Sequence, residues 1–168
     1  EHALALDRKD AALRLLESAT EATPDLTPAW VLLCELASER MPEEELRALC
    51  DRALEAIEPD ELSASISLRA ARLAEIAGDL EQARARYGEA ARWDPRASEA
   101  VLCESRLARR EGDWVDADAV LSRFLDVHPD PDSPTLAHVY LERGRLLSGP
   151  LEDFDASIVA YEAALSRQ

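Results

Sequence analysis

Recognisable catalytic machinery is absent from this sequence. Glycine occurs only five times in 168 residues, and no GxGxxG, P-loop or GxSxG pattern is formed, so a phosphate-cradling loop and a nucleophile elbow are both excluded. The three histidines, His2, His128 and His138, show neither HExxH nor His-x3-His spacing. They are expected as exposed or capping residues, and no metal site or cofactor is expected. Cys34, Cys50 and Cys103 form no CxxC pair and leave an odd count, which argues against a disulfide framework and for a reducing compartment. No apolar run approaches the ~18 residues of a membrane span, and no basic-then-apolar segment opens the chain. Membrane insertion is therefore not expected, and the expected compartment is the cytoplasm, with a bacterial periplasm as the alternative if a signal has been removed. Glu1 stands where an initiator Met would, as expected of a processed product or a piece of a longer polypeptide.

Basic charge is also scarce. Lys9 is the only lysine, and 19 basic residues face 35 acidic ones for a formal charge of -16. Broad docking onto nucleic acid or anionic lipid needs clustered Lys and Arg, so nucleic acid is not expected as a partner. The preference for Arg over Lys is the bias expected of GC-rich, bacterial coding.

What the chain does have is Ala and Leu, a helix-forming composition with few aromatics, and an internal repeat. Gly78-Asp79-Leu80-Glu81-Gln82-Ala83 returns as Gly112-Asp113-Trp114-Val115-Asp116-Ala117, a spacing of 112 − 78 = 34 residues. The same spacing carries Leu73 to Leu107, Tyr87 to Leu121 and Pro95 to Pro129. Small or apolar residues recur every three or four positions, as in Ala29, Leu33, Leu36 and Ile66, Ala70, Leu73, which predicts helices with one buried face. Pro42 followed by Glu43, Glu44 and Glu45 predicts a helix start, because acids favour the positive end of the helix dipole. Ala71, Ser105 and Gly144 fall where paired helices would approach closely.

Period and pattern together resemble the tetratricopeptide (TPR) family, whose signature is W-x2-L-G-x2-Y on a first helix, A-x3-F on a second and a closing Pro. Trp30, Leu33, Cys34 and Ala37 match the first part. Ala12 with Leu16, Ala83 with Tyr87, Ala117 with Leu121 and Ser157 with Tyr161 match the second; Pro24, Pro95 and Pro129 close repeats, and Pro59 falls one residue late. The resemblance implies an all-α, right-handed solenoid of antiparallel helix hairpins. It would form a single domain over 1–168, with a partial repeat at 1–26 and repeats at about 27–60, 64–97, 98–131 and 137–168. It also implies a protein or peptide partner held on the concave face of the first helices, and a scaffold or adaptor rather than an enzyme.

On that face the expected partner-binding residues are Leu68, Arg69 and Arg72, then Leu102, Arg106 and Arg109 with Arg110 beside them, then Leu141 and Arg145; Val31 and Glu35 precede them. An apolar residue with an Arg about one turn later would suit a partner segment carrying acidic and apolar side chains, because guanidinium groups bind carboxylates bidentately. The same arginines could instead pair with Glu75, Glu99, Glu104 and Glu142 nearby. Glu35, Arg72, Arg106 and Arg145 stand where the family's chaperone-binding members carry Asn, so chaperone C-termini are not expected as ligands. Cys34 and Cys50 are expected as neighbours that pack as small apolar side chains. Two other functions fit the sequence. One is an architectural subunit that self-associates, or continues the solenoid, through an open C-terminal end at Ile158, Tyr161 and Leu165. The other is a regulatory repeat domain of a larger enzyme or signalling protein.

Overall fold

A computed structural model describes the backbone of residues 2–167 and the side chains of residues 8–167. Glu1, Gln168 and the side chain of His2, each part of an expectation above, lie outside the described residues. All regular structure among the described residues is helical. In chain order the helices are α1 (His2–Ala22), α2 (Thr27–Ala37), α3 (Glu43–Ala56), α4 (Ser63–Ile76), α5 (Leu80–Trp93), α6 (Ser98–Arg110), α7 (Trp114–Val127), α8 (Leu136–Ser148) and α9 (Phe154–Leu165). No Gly or Pro interrupts residues 1–22, so Ala12 and Leu16, read above as second-helix positions, lie on one continuous helix.

Turn chemistry explains where helices stop and restart. Gly78 and Gly112 adopt φ of 81° and 82°, a left-handed conformation that a Cβ would strain. The Asp79 N–H then reaches back to the Ala74 carbonyl at 2.9 Å, and the Asp113 N–H to Ala108 at 3.0 Å, satisfying helix-end carbonyls that would otherwise lack donors. The aspartates next start the following helix. The Asp113 carboxylate accepts from the Asp116 N–H at 3.0 Å, and the Asp79 carboxylate from the Gln82 N–H at 3.2 Å. Asp153 caps α9 in the same way, accepting from the Ala156 N–H at 3.0 Å, but the residue before it is Glu152, held at φ 53° without the freedom of glycine. Pro42 occupies the cap position of α3, and Glu43, Glu44 and Glu45 form its first turn.

The chain divides into two compact units, Glu1–Arg86 and Tyr87–Gln168. In the first, Trp30, Leu33, Cys34 and Ala37 of α2 pack with Leu46, Leu49 and Cys50 of α3 and Ile66, Ala70 and Leu73 of α4. Each large apolar side chain so buried contributes about 1.5–3 kcal/mol. The Trp30 indole N–H donates to the Pro24 carbonyl at 2.7 Å, which ties the closing proline to the next helix. Arg47 pairs with Asp79 at 2.8 Å and Arg86 with Asp51 at 2.9 Å, linking α3 to α5 along its polar side.

In the second unit Val101, Val120, Leu121 and Phe124 receive Leu136, Val139 and Leu146 of α8. The Ser105 hydroxyl donates to the Ala117 carbonyl at 3.0 Å, so a small residue on α6 brings α7 within hydrogen-bonding distance. Gly144 plays the corresponding part between α8 and α9. An added Cβ would stand 2.6 Å from a ring carbon of Tyr161, so no larger residue fits without displacing that ring. Arg143 of α8 reaches Asp118 of α7 at 2.9 Å.

Candidate partner-binding surface

The expected site residues fall into both units, and each group is described in its own unit. In the first, Leu68 and Arg69 are half-buried on α4 and Arg72 is exposed one turn on. Arg69 lies close enough to the buried thiols of Cys34 and Cys50 to act on them by charge. Those two thiols share a hydrogen bond, and both side chains are free of disulfide. The bond to Cys34, together with burial, pushes the Cys50 thiol far up, so it stays protonated and unreactive. The pair belongs to the core rather than to a surface site.

In the second unit α6 and α8 bring five of the expected residues together. Leu102, Arg106 and Arg109 follow one another at four and then three residues along α6, so they share a face, and Leu141 and Arg145 do so along α8. Glu142 joins the two helices. Its carboxylate takes a hydrogen bond from Arg109 of α6 at 2.8 Å and another from Arg145 of its own helix. Pairing of these arginines with a neighbouring acid, the alternative that the sequence left open, is thus present at Glu142. Arg106 and Arg145 are exposed, whereas Arg109, Leu102, Leu141 and Glu142 are half-buried. The arrangement can hold a carboxylate between guanidinium groups from two helices, with Leu141 one turn from Arg145 and Leu102 two turns from Arg109.

A 390 Å³ cleft in the same unit has no counterpart among the residues read from sequence. Gly88, Val101, Val120, Phe124 and Val127 give it apolar walls, and Glu104, Arg92 and Arg123 a polar edge. Gly88 is the feature that signals it, because a Cβ there would meet the Glu104 carboxylate at 3.2 Å. A second, 510 Å³ groove runs between α8 and α9 past His138, Leu141, Tyr161 and Leu165. His128 ends α7, edge-on to Phe124 with ring centroids 5.4 Å apart, and its Nδ1 lies 2.8 Å from the Asp130 carbonyl. Among the described residues no three His, Cys, Asp or Glu side chains converge as a metal site would require. Among them also, no helix is long and apolar enough to cross a membrane.

No family model matches the chain, and no curated protein matches it in sequence. Its backbone is nevertheless similar to solved helical-repeat structures. MamA aligns with a TM-score of 0.66 at 13% identity, over 97% of this chain and 90% of its own. BtubC (BKLC) from P. vanneervenii aligns with a TM-score of 0.69 at 17% identity, over 96% of this chain and 71% of its own. YrrB, a TPR protein with an unusual peptide-binding site, aligns with a TM-score of 0.62 at 14% identity, over 98% of this chain and 80% of its own. At identities this low the likeness is one of fold: the chain is an all-α, TPR-like solenoid of antiparallel helix hairpins.

Proposed function

We propose that this chain is a divergent TPR protein that works as an interaction scaffold, holding an acidic, partly apolar segment of a partner protein against its first helices. The observation that carries the proposal is the Glu142 carboxylate, gripped by Arg109 from α6 and Arg145 from α8. A surface that already fixes one carboxylate between two helices is built to take another, from Asp or Glu of a partner, with Glu142 yielding one arginine to the incoming group. Arg106 extends the positive edge, and Leu102 and Leu141 supply apolar contact for the residues between the partner's acids. Leu68, Arg69 and Arg72 offer the same combination on α4 and are proposed as partner-binding residues of the first unit. The peptide-binding site of YrrB lends support by fold alone.

The reading is tested with a fluorescent peptide that alternates Glu or Asp with Leu, titrated into the wild type and into an Arg106→Glu, Arg109→Glu, Arg145→Glu variant. Loss of affinity by a factor of roughly 10–100 is expected, since each charged hydrogen bond removed costs about 1.5–3 kcal/mol before solvent screening. Unchanged affinity in a variant that keeps its helical circular dichroism would remove these arginines from the site.

A further inference from the structure

A carboxylate stands on α6 where the repeat pattern calls for a core leucine. The motif that places Leu33 in the core of the first unit, Trp30-x2-Leu33-Cys34, returns on α6 as Val101-x2-Glu104-Ser105. The Glu104 side chain is only 14% exposed, and α5 gives up a side chain beside it. Gly88 lies buried in the interior of that helix, where glycine is disfavoured relative to Ala. A Cβ there would stand 3.2 Å from Glu104 Oε1. The space so left is the 390 Å³ cleft walled by Val101, Val120, Phe124 and Val127. Two exposed arginines form its edge. Arg123 of α7 faces Glu104 across 4.0 Å, longer than a hydrogen bond, and is 67% exposed. Arg92, one turn beyond Gly88 on α5, has no side-chain hydrogen bond or ion pair among the described residues. Val101 and Glu104 share a face of α6 turned roughly a third of a revolution from Leu102, Arg106 and Arg109, so the cleft is separate from the surface proposed above.

From these observations we infer that the cleft bounded by α5, α6 and α7 is a binding site for a free apolar α-amino acid, of the size of leucine or phenylalanine. Its volume and make-up, apolar walls with a few convergent polar groups, are those of a small-ligand site, which spans roughly 300–1,000 Å³. The valines and Phe124 receive the ligand's side chain. An ionised carboxylate accepts hydrogen bonds at both oxygens, so Glu104 takes the ligand's ammonium in addition to the contacts it already makes. Arg92 and Arg123 take the carboxylate. An α-amino acid carries both charges on one carbon, which suits a carboxylate and a guanidinium set 4.0 Å apart. A plain apolar acid brings no donor to Glu104, and a plain amine brings no acceptor to Arg92. A polar side chain would lose its water to apolar walls without replacement.

Isothermal titration calorimetry on the full chain tests this with phenylalanine and leucine against three probes that each lack one feature. Phenylpropionate lacks the ammonium, phenethylamine the carboxylate, and glutamate the apolar side chain. Saturable binding of phenylalanine or leucine at one site is expected, with each of the three probes weaker by roughly tenfold or more. Arg92→Ala and Glu104→Gln should each weaken the amino acid by a similar factor, with melting curves as the control for folding. Arg92 is exposed and unpaired, so its variant keeps the test open even where Glu104→Gln unfolds. The Arg106→Glu, Arg109→Glu, Arg145→Glu variant should bind the amino acid as the wild type does, which separates this site from the partner-binding surface. The inference is overturned if neither amino acid saturates the protein by about 10 mM, or if phenylpropionate or phenethylamine binds as well as phenylalanine. It is likewise overturned if either folded cleft variant keeps wild-type affinity.

Discussion

A Cβ on Gly144 would stand 2.6 Å from one carbon of the Tyr161 ring and 2.7 Å from the next, while the hydroxyl of that ring lies 3.0 Å from Ser148 Oγ and holds it in place. Gly144→Ala is therefore expected to destabilise the second unit despite the better helix propensity of Ala. Overpacking costs about 1–3 kcal/mol and the propensity gain offsets about 1, for a net loss of up to about 2 kcal/mol in urea denaturation. One repeat earlier Ser105 and Leu121 occupy the same two positions. Adding Tyr161→Leu to Gly144→Ala should then recover much of the loss, and a double-mutant cycle with no coupling between the two would contradict the packing account. Gly144 was legible in the sequence as a point of close approach because it aligns with Ser105 and Ala71. The residue opposite it that sets the tolerance was not, since Tyr at that position says nothing about how its ring is turned.

Hairpin turns carry the next set of effects. Gly78 and Gly112 hold their left-handed φ at no steric cost, whereas Glu152 holds φ 53° with a side chain attached. Glu152→Gly is expected to raise stability by about 1 kcal/mol, and Gly112→Ala to lower it by a similar amount, both read as shifts in melting temperature. Asp79 supplies the pH dependence of its turn. The Gln82 N–H, and after it the Arg47 side chain, hold its carboxyl below the ordinary carboxylate value. A depressed folded pKa contributes stability that is present above the unfolded pKa and lost as pH falls through the folded one. Acid melting curves of Asp79→Asn should accordingly fall less steeply below about pH 4 than those of the wild type; parallel curves would show that Asp79 contributes no such term. The 34-residue return of Gly-Asp made two of these turns readable, because glycine and the capping aspartate are each dictated by local backbone geometry. Glu152-Asp153 escaped because a longer loop shifts it out of period and because Glu does not announce a left-handed residue.

For the molecule as a whole, helix content followed from Ala and Leu periodicity and the hairpin class from the 34-residue repeat and the family resemblance it carries, whereas the state of the arginine face did not. Sequence placed Arg109, Arg145 and Glu142 close together, but only three dimensions show one carboxylate taking hydrogen bonds from both arginines. Likewise Ile158, Tyr161 and Leu165 could be read as an apolar end, while Phe154, Val159 and the adjoining groove come from the structure. Occupation of the arginines by Glu142 has a testable consequence. Glu142→Gln keeps the shape but removes the competing charge, so it should tighten binding of an acidic peptide by roughly 3- to 10-fold, about 1 kcal/mol of reduced competition at a half-exposed site. A weaker complex would mean that Glu142 positions the arginines rather than competing for them.

Side-chain and backbone NMR shifts, followed as the alternating acidic and leucine peptide is added to isotopically labelled protein, test the central claim most directly. The account predicts saturable shifts at Leu102, Arg106, Arg109, Leu141 and Arg145, with the guanidinium resonances of Arg109 and Arg145 moving as Glu142 is displaced. Saturable shifts confined to Tyr161, Ala164 and Leu165 of α9, or none at Leu102, Arg106, Arg109 and Arg145, would contradict it.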